Sequence, residues 1–282
     1  MAVTEQLKSL VEEMPDPNGA GMYTDNIDQE KIEKAVEVIA KGGRQNLLGL
    51  IEMLGEPGAQ ENAKPHYALH CVVNHTLITR DEPLRKEFCE AMASQLQNMN
   101  LHPYNRSYLC QELQWAGREE SCSALGEVLL DPDISDDAAT ALAAIGGERA
   151  AAQIRDAVGQ AEGKSRLNLI DALAALTEPA SADTFQEALQ DKDREVRIAA
   201  SLGLASLGQP DSAEPLLKAA DAAQGWERTQ LTKSCLVLAE KLAAGGKPND
   251  AKRVYEHLQK ARLGDNEQHI RDAAERGLAA IG

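Results

Sequence analysis

A step of 31 residues recurs in this sequence and limits what it can fold into. The segments "DDAATALAAIGG" (Asp136 to Gly147), "LNLIDALAALTE" (Leu167 to Glu178) and "RIAASLGLASLGQP" (Arg197 to Pro210) stand in register, so that Leu142, Leu173 and Leu204 align, as do Ile145, Leu176 and Leu207. The end of the chain returns to the same phrase. "HIRDAAERGLAAIG" matches "EVRIAASLGLASLG" position for position, pairing Arg271 with Arg197, Ala273 with Ala199 and Leu278 with Leu204. Upstream, "LCQELQWAG" (Leu109 to Gly117) fits more loosely, with Leu113 and Gly117 in the places of Leu142 and Gly146. Self-similarity at such a period marks an architecture in which one unit cannot bury its apolar face alone and is completed by its neighbours.

Each period reads as a first helix, a short Gly or Pro turn, a second helix and an Asp-containing turn. In the clearest unit, Asp193 caps a helix whose Val196, Ala199, Ala200, Gly203 and Leu207 form an i, i+3, i+4, i+7 stripe, and Ile198, Leu202 and Ala205 add a second apolar side. A helix apolar on two sides needs neighbours on both. Gly208, Gln209 and Pro210 stop it, and Ser212 to Ala220 make the second helix, with Pro215 in its first turn. Composition agrees: 43% of residues are hydrophobic but only 3% aromatic, a balance of Ala and Leu that favours closely packed helices over sheets.

The stretch "DKDREVRIAASLGLASLGQPDSAEPLLKAAD" (Asp191 to Asp221) resembles a HEAT repeat of the bacterial kind called phycobilin-lyase-type, with an Asp-rich turn, Val-Arg and paired small residues, a Leu-Gly close and an apolar second helix. The resemblance implies an all-α fold, a right-handed α-solenoid of stacked antiparallel helix pairs. It is clearest over 109–222, and weaker from Ile27 to Leu101. "CLVLAEKLAAGGKPNDAKRVYEHLQKA" (Cys235 to Ala261) has longer helices and resembles a tetratricopeptide unit, giving a hairpin over 225–263. The expected organisation is an N-terminal cap helix and loop over 1–26 and one solenoid over 27–282. The solenoid ends in a half repeat, 266–282, whose Ile270, Ala274 and Leu278 stripe lacks a second helix; the last helix is expected to be either a modified cap or a surface that docks onto a second copy, giving self-association, or onto a partner.

A formal net charge of −16 repels polyanions, so neither nucleic acid nor anionic membrane is an expected partner. Five cysteines without a CxxC pair read as reduced thiols. The start "MAVTEQLKSLVEEM" has no basic region followed by an apolar core, and no run reaches membrane-spanning length. A cytoplasmic protein is the expectation.

The histidine-rich stretch "PHYALHCVVNH" (Pro65 to His75) looks at first like a metal or catalytic centre. On a helix over Lys64 to Thr79, His66 and His70 lie about 40° apart at one edge of the apolar face, with Cys71 and His75 at the opposite edge. The four cannot converge, and His-x3-His alone falls short of the three or four ligands zinc takes, so no metal is expected. The deoxyhypusine hydroxylase branch of HEAT proteins binds iron through His-Glu dipeptides, and none of the six histidines here is followed by Glu. "VGQAEGKSR" has Val158 where a phosphate-binding loop needs Gly, so Lys164 and Ser165 are read as a helix start with Ser at or near the cap.

No nucleophile-and-base spacing, nucleotide motif or cofactor site stands out. What remains is a surface, on which the second helices usually line the concave side and exposed aromatics and arginines supply the anchors. The candidates are Tyr104, Arg106, Tyr108, Trp115, Trp226 and Arg228, whereas Arg197 and Arg271 are assigned to structure, making inter-repeat hydrogen bonds or pairing with turn aspartates such as Asp193 or Asp265. The sequence reads as a non-catalytic scaffold or adaptor for a protein or peptide partner. The alternative is a lyase-like or accessory ligand-binding subunit associated with an enzyme.

Overall fold

The computed structural model describes residues 3–18, 23, 27–59 and 62–282. Among the described residues the chain forms sixteen α-helices and no strand. They group into two compact units, 1–145 and 146–282. The first holds α1 (Glu5–Glu12), α2 (Gln29–Lys41), α3 (Gly43–Glu52), α4 (Ala63–Thr79), α5 (Glu82–Ala93), α6 (Pro103–Ala116), α7 (Cys122–Gly126) and α8 (Ser135–Ile145). The second holds α9 (Gly147–Val158), α10 (Gly163–Leu176), α11 (Ala182–Ala188), α12 (Arg194–Leu207), α13 (Ala213–Ala222), α14 (Gly225–Ala244), α15 (Pro248–Ala261) and α16 (Gln268–Ile281).

In the second unit each second helix packs on the first helix that follows it: α9 on α10, α11 on α12, α13 on α14 and α15 on α16. The first helices α10, α12 and α14 also pack side by side in an unbroken row. Helix α12 shows how the sequence builds this. The Asp193 carboxylate accepts from the Glu195 N–H at 2.9 Å and caps the helix, and Gly208 ends it at φ +62°, a left-handed conformation that glycine takes without a Cβ clash. Val196, Ala200 and Leu204 are fully buried on one side, and Gly203 faces the Phe185 ring of α11. Leu142, Leu173 and Leu204, the three residues that reveal the period, have no exposed surface.

Three expectations shift in detail. The second helix expected from Ser212 begins at Ala213, after a 3-10 turn over Pro210–Ser212. Ser165 does not cap α10, because the helix already starts at Gly163 (φ +53°) and Glu162 occupies the cap position without a side-chain bond. The long C-terminal hairpin is present as α14 and α15, and on α16 only Ile270 and Ala274 are buried, while Leu278 is half-exposed.

In the first unit α1 is an amphipathic helix with Leu7 and Val11 buried, packed against α2, α3 and α4, and Thr4 accepts from the Leu7 N–H. The loop expected over Met14 to Asp28 lies in part outside the described residues. Helix α4 follows the expected bounds, with Pro65 in its first turn, and lies against α2, α3, α5 and α6. Helix α6 in turn packs closely on α8.

Gly203 offers a direct check of the close packing. Glycine to alanine inside a helix ordinarily stabilises by about 1 kcal/mol, but a Cβ on Gly203 would lie 2.5 to 2.7 Å from Phe185 ring atoms, an overpacking that costs about 1–3 kcal/mol. Gly203→Ala is expected to lower the urea midpoint. Gly159→Ala, where the new Cβ meets nothing within 4 Å, is expected not to.

Candidate functional site

Two of the six expected anchors have their guanidinium groups engaged by the fold. Arg106 is only 1% exposed: its guanidinium donates to the Leu96 carbonyl at 3.3 Å and to Asp131 at 2.5 Å. Arg228 donates to the Ala220 and Asp221 carbonyls at 3.3 and 3.4 Å, to the Ala261 carbonyl at 3.3 Å and to Glu267 at 2.7 Å. Both therefore belong with Arg197, which grips Glu227 through two bonds of 2.6 and 2.8 Å and the Asp191 carbonyl at 2.7 Å.

Arg166 makes the same kind of contact, with the Val158 carbonyl and with Asp191. Arg271 reaches the carbonyls of Arg262 and Gly264. Of the two expected modes, Arg197 and Arg271 make hydrogen bonds to neighbouring repeats and turns, to backbone carbonyls and for Arg197 also to Glu227, and not pairs with Asp193 or Asp265. Each of these five arginines is the fourth residue of its helix, α6, α10, α12, α14 or α16. Arg166, Arg197 and Arg228 stand 31 residues apart, the signal by which Arg228 could have been assigned from the sequence.

The aromatic candidates lie elsewhere. Tyr104, Tyr108 and Trp115 on α6 fall within about 40° of arc, and along this stripe Tyr104 is 53% and Trp115 71% exposed. Tyr108 is half-buried and donates its hydroxyl to the His66 carbonyl at 2.8 Å. Trp226, at the start of α14 in the second unit, is 59% exposed.

The stripe borders a polar network between α4 and α6. His66 Nε2 donates to the Asn105 side-chain oxygen at 3.2 Å, and the Asn105 amide donates to the carbonyls of Leu54 and Gly55 at 3.3 and 3.0 Å. His70 Nδ1 donates to Glu112 at 2.9 Å, while Asn74 donates to His70 Nε2 at 2.8 Å. In the neutral form of His70 these contacts place its proton on Nδ1. The His66 ring lies 4.3 Å from that of Tyr108 and 5.8 Å from that of Tyr104, tilted by 58° and 57°, the tilted geometry that aromatic quadrupoles favour.

Glu112 had no signal of its own in the sequence, and it is the least exposed carboxylate of this face, at 4% of its side chain. Its hydrogen bond raises the pKa of His70 above the ordinary imidazole value, in spite of partial burial. His66 shifts the other way, because burial disfavours its charged form more than Asn105 supports it. Burial also raises the Tyr108 phenol and the Cys71 thiol. Among the described residues no group of three or more His, Cys, Asp or Glu side chains is placed to hold a metal ion. None of the five cysteines is in a disulfide, and burial pushes the thiols of Cys89, Cys110 and Cys235 up to about 12. What the arrangement offers chemically is a rigid hydrogen-bonded floor with large aromatic groups standing on it.

Removing the Arg106 guanidinium strands Asp131 and the Leu96 carbonyl, so Arg106→Ala is expected to cost about 3–5 kcal/mol in urea unfolding, the range for breaking a buried ion pair. The histidines provide a second check. In an NMR titration His70 is expected to titrate above about 6.5 and His66 below it. Because the folded pKa of His70 is raised, its contribution to stability is complete below about 6.5 and is lost as pH rises through the folded value. The contribution of His66 has the opposite sign and fades as pH falls.

Comparison with known proteins follows from this architecture. The family of HEAT repeats matches residues 158–236, and no curated protein matches the chain. Among solved structures the chain is similar to an engineered protein, at 15% identity over 99% of this chain and 79% of that chain, with a TM-score of 0.43. It is also similar to the complex of CpcE and CpcF of phycocyanin lyase from Nostoc sp. PCC7120, at 16% identity over 93% and 96%, with a TM-score of 0.36. A designed armadillo repeat protein in complex with the peptide (KR)4 aligns at 20% identity over 98% and 100%, with a TM-score of 0.30. The chain is an all-helical repeat protein whose residues 158–236 match HEAT repeats.

Proposed function

We propose that this chain is a non-catalytic scaffold or adaptor built as one run of HEAT-like repeats, and that a protein or peptide partner docks on the α4–α6 face of the first unit. The observation that carries the reading is Trp115, 71% exposed in one stripe with Tyr104 and standing beside a network that fixes the helices beneath it. Large aromatics on a rigid base supply much contact energy with little loss of conformational entropy. The interior does not need these rings, since the core around them is closed by Leu109, Cys110 and Leu113. The charge of −16 favours a basic or mixed-charge partner through long-range steering.

The test is affinity capture with the full chain and quantitative mass spectrometry, run in parallel on Trp115→Ala. The expected outcome is at least one protein retained by the wild type and reduced tenfold or more by the variant, with the circular dichroism melting curve unchanged. Equal retention by both proteins refutes the α4–α6 face. A chromophore or other small ligand travelling stoichiometrically with the purified chain favours an accessory ligand-binding subunit instead.

A further inference from the structure

The row of first helices in the second unit carries a groove of about 250 Å³ with an unusual order of side chains. Leu167 and Asp171 line it from α10, Ile198 and Leu202 from α12, and Lys233 and Val237 from α14. Asp171, Leu202 and Lys233 are equivalent positions, 31 residues apart. The repeat therefore presents a carboxylate, an apolar side chain and an ammonium at one level of three adjacent helices. Leu202 is 48% exposed, although the helix it sits on is otherwise well covered. No hydrogen bond or ion pair joins Asp171 or Lys233 to any described residue, whereas nearby Glu195, which also lines the groove, is held by Arg194 at 2.7 Å.

Spacing selects what fits. Helices packed side by side are about 8–10 Å apart. A polyproline II strand rises about 3.1 Å per residue with three residues per turn, so every third side chain returns to the same face after about 9.3 Å. A β-strand alternates faces with period two and sends successive third residues to opposite sides.

We infer that this groove binds an extended polyproline-II segment of a partner protein laid across α10, α12 and α14, with a basic side chain at Asp171, an apolar one on Leu202 and an acidic one at Lys233, each three residues from the next. Charge complementarity sets the occupant, since the two ends of the groove carry opposite unpaired charges and its middle is apolar. Partial desolvation raises the Asp171 carboxyl pKa above its ordinary value although the residue keeps solvent-exposed surface, a cost that an incoming cation relieves. The groove lies on other helices than the α4–α6 face, and the inference goes beyond that reading without resting on it.

The experiment is fluorescence anisotropy of the full chain with labelled synthetic peptides whose core is Lys-Pro-Pro-Leu-Pro-Pro-Glu, the same core in reverse order, and versions with Lys or Glu at both ends. One bipolar peptide is expected to bind at least tenfold more tightly than either like-charged version. Lys233→Glu, which makes both ends of the groove acidic, is expected to move the preference to the peptide with two lysines, and Leu202→Ser to weaken all of them. Trp115→Ala is expected to leave this ranking unchanged, which separates the groove from the aromatic face. Equal binding of bipolar and like-charged peptides, an unaltered ranking in Lys233→Glu, or no binding of any peptide at millimolar concentration overturns the inference.

Discussion

The contact on which the repeats depend is an arginine at the fourth position of a helix, folded back onto the carbonyls at the end of the preceding helix or its following turn. A helix leaves its last four carbonyls without intrahelical partners and concentrates negative potential there. A guanidinium has five donors in a planar fork, enough to satisfy such carbonyls and still engage a carboxylate. Arg197 does both, with the Asp191 carbonyl on one side and Glu227 on the other. The contacts also link. Asp191 accepts from Arg166 through its carboxylate and from Arg197 through its carbonyl, and its second carboxylate oxygen takes the Asp193 N–H at 2.8 Å. One turn thereby fixes α10, α12 and the end of α11 together. Helices of 7 to 14 residues such as these are marginal in isolation, and this linkage defines how they stack.

The scarcity of aromatics has a matching consequence. Phe185 on α11 fills the space opposite Gly203 on α12, and Tyr255 on α15 fills that opposite Gly277 on α16. The two glycines occupy the same place in the repeated phrase read from the sequence. One large ring against one missing side chain lets adjacent helices approach closely while the core remains filled. Phe88, Phe185 and Tyr255 are buried, whereas Tyr104, Trp115 and Trp226 are large rings that the packing leaves outside.

The periodicity made the fold legible because burial at Leu142, Leu173 and Leu204 is a property of the pattern and not of any one residue. His66 and His70 share one helix face, as their spacing requires, and both meet α6 there. Long polar side chains are different. Arg106 and Trp115 both read as anchors, yet Arg106 is drawn inward by a carboxylate 25 residues away and by a carbonyl that no residue type announces. Glu112 passed unnoticed because its partner, His70, is 42 residues upstream on a different helix. For Arg228 the information was present in its register with Arg197, but the side-chain type suggested exposure.

These two classes of charge explain how a chain with a net charge of −16 holds a compact fold. Glu227 and Glu267 are held below the ordinary carboxylate range by their hydrogen bonds to Arg197 and Arg228. For Asp191 burial works against ionisation, and the bonds from the Asp193 N–H and Arg166 outweigh it. A carboxylate with a depressed pKa contributes stability that is present above its unfolded value and is lost as pH falls through the folded one. The ladder is therefore fully charged wherever the solvated carboxylates are charged, and it persists as they begin to neutralise. Repulsion is carried by surface groups that water and salt screen, whereas the attraction sits between partly buried pairs that they screen far less. Because the ladder uses Arg166, Arg197 and Arg228 internally, those three arginines are not offered at the first-helix groove, whose cationic lining side chain is Lys233, opposite Asp171 across three helices.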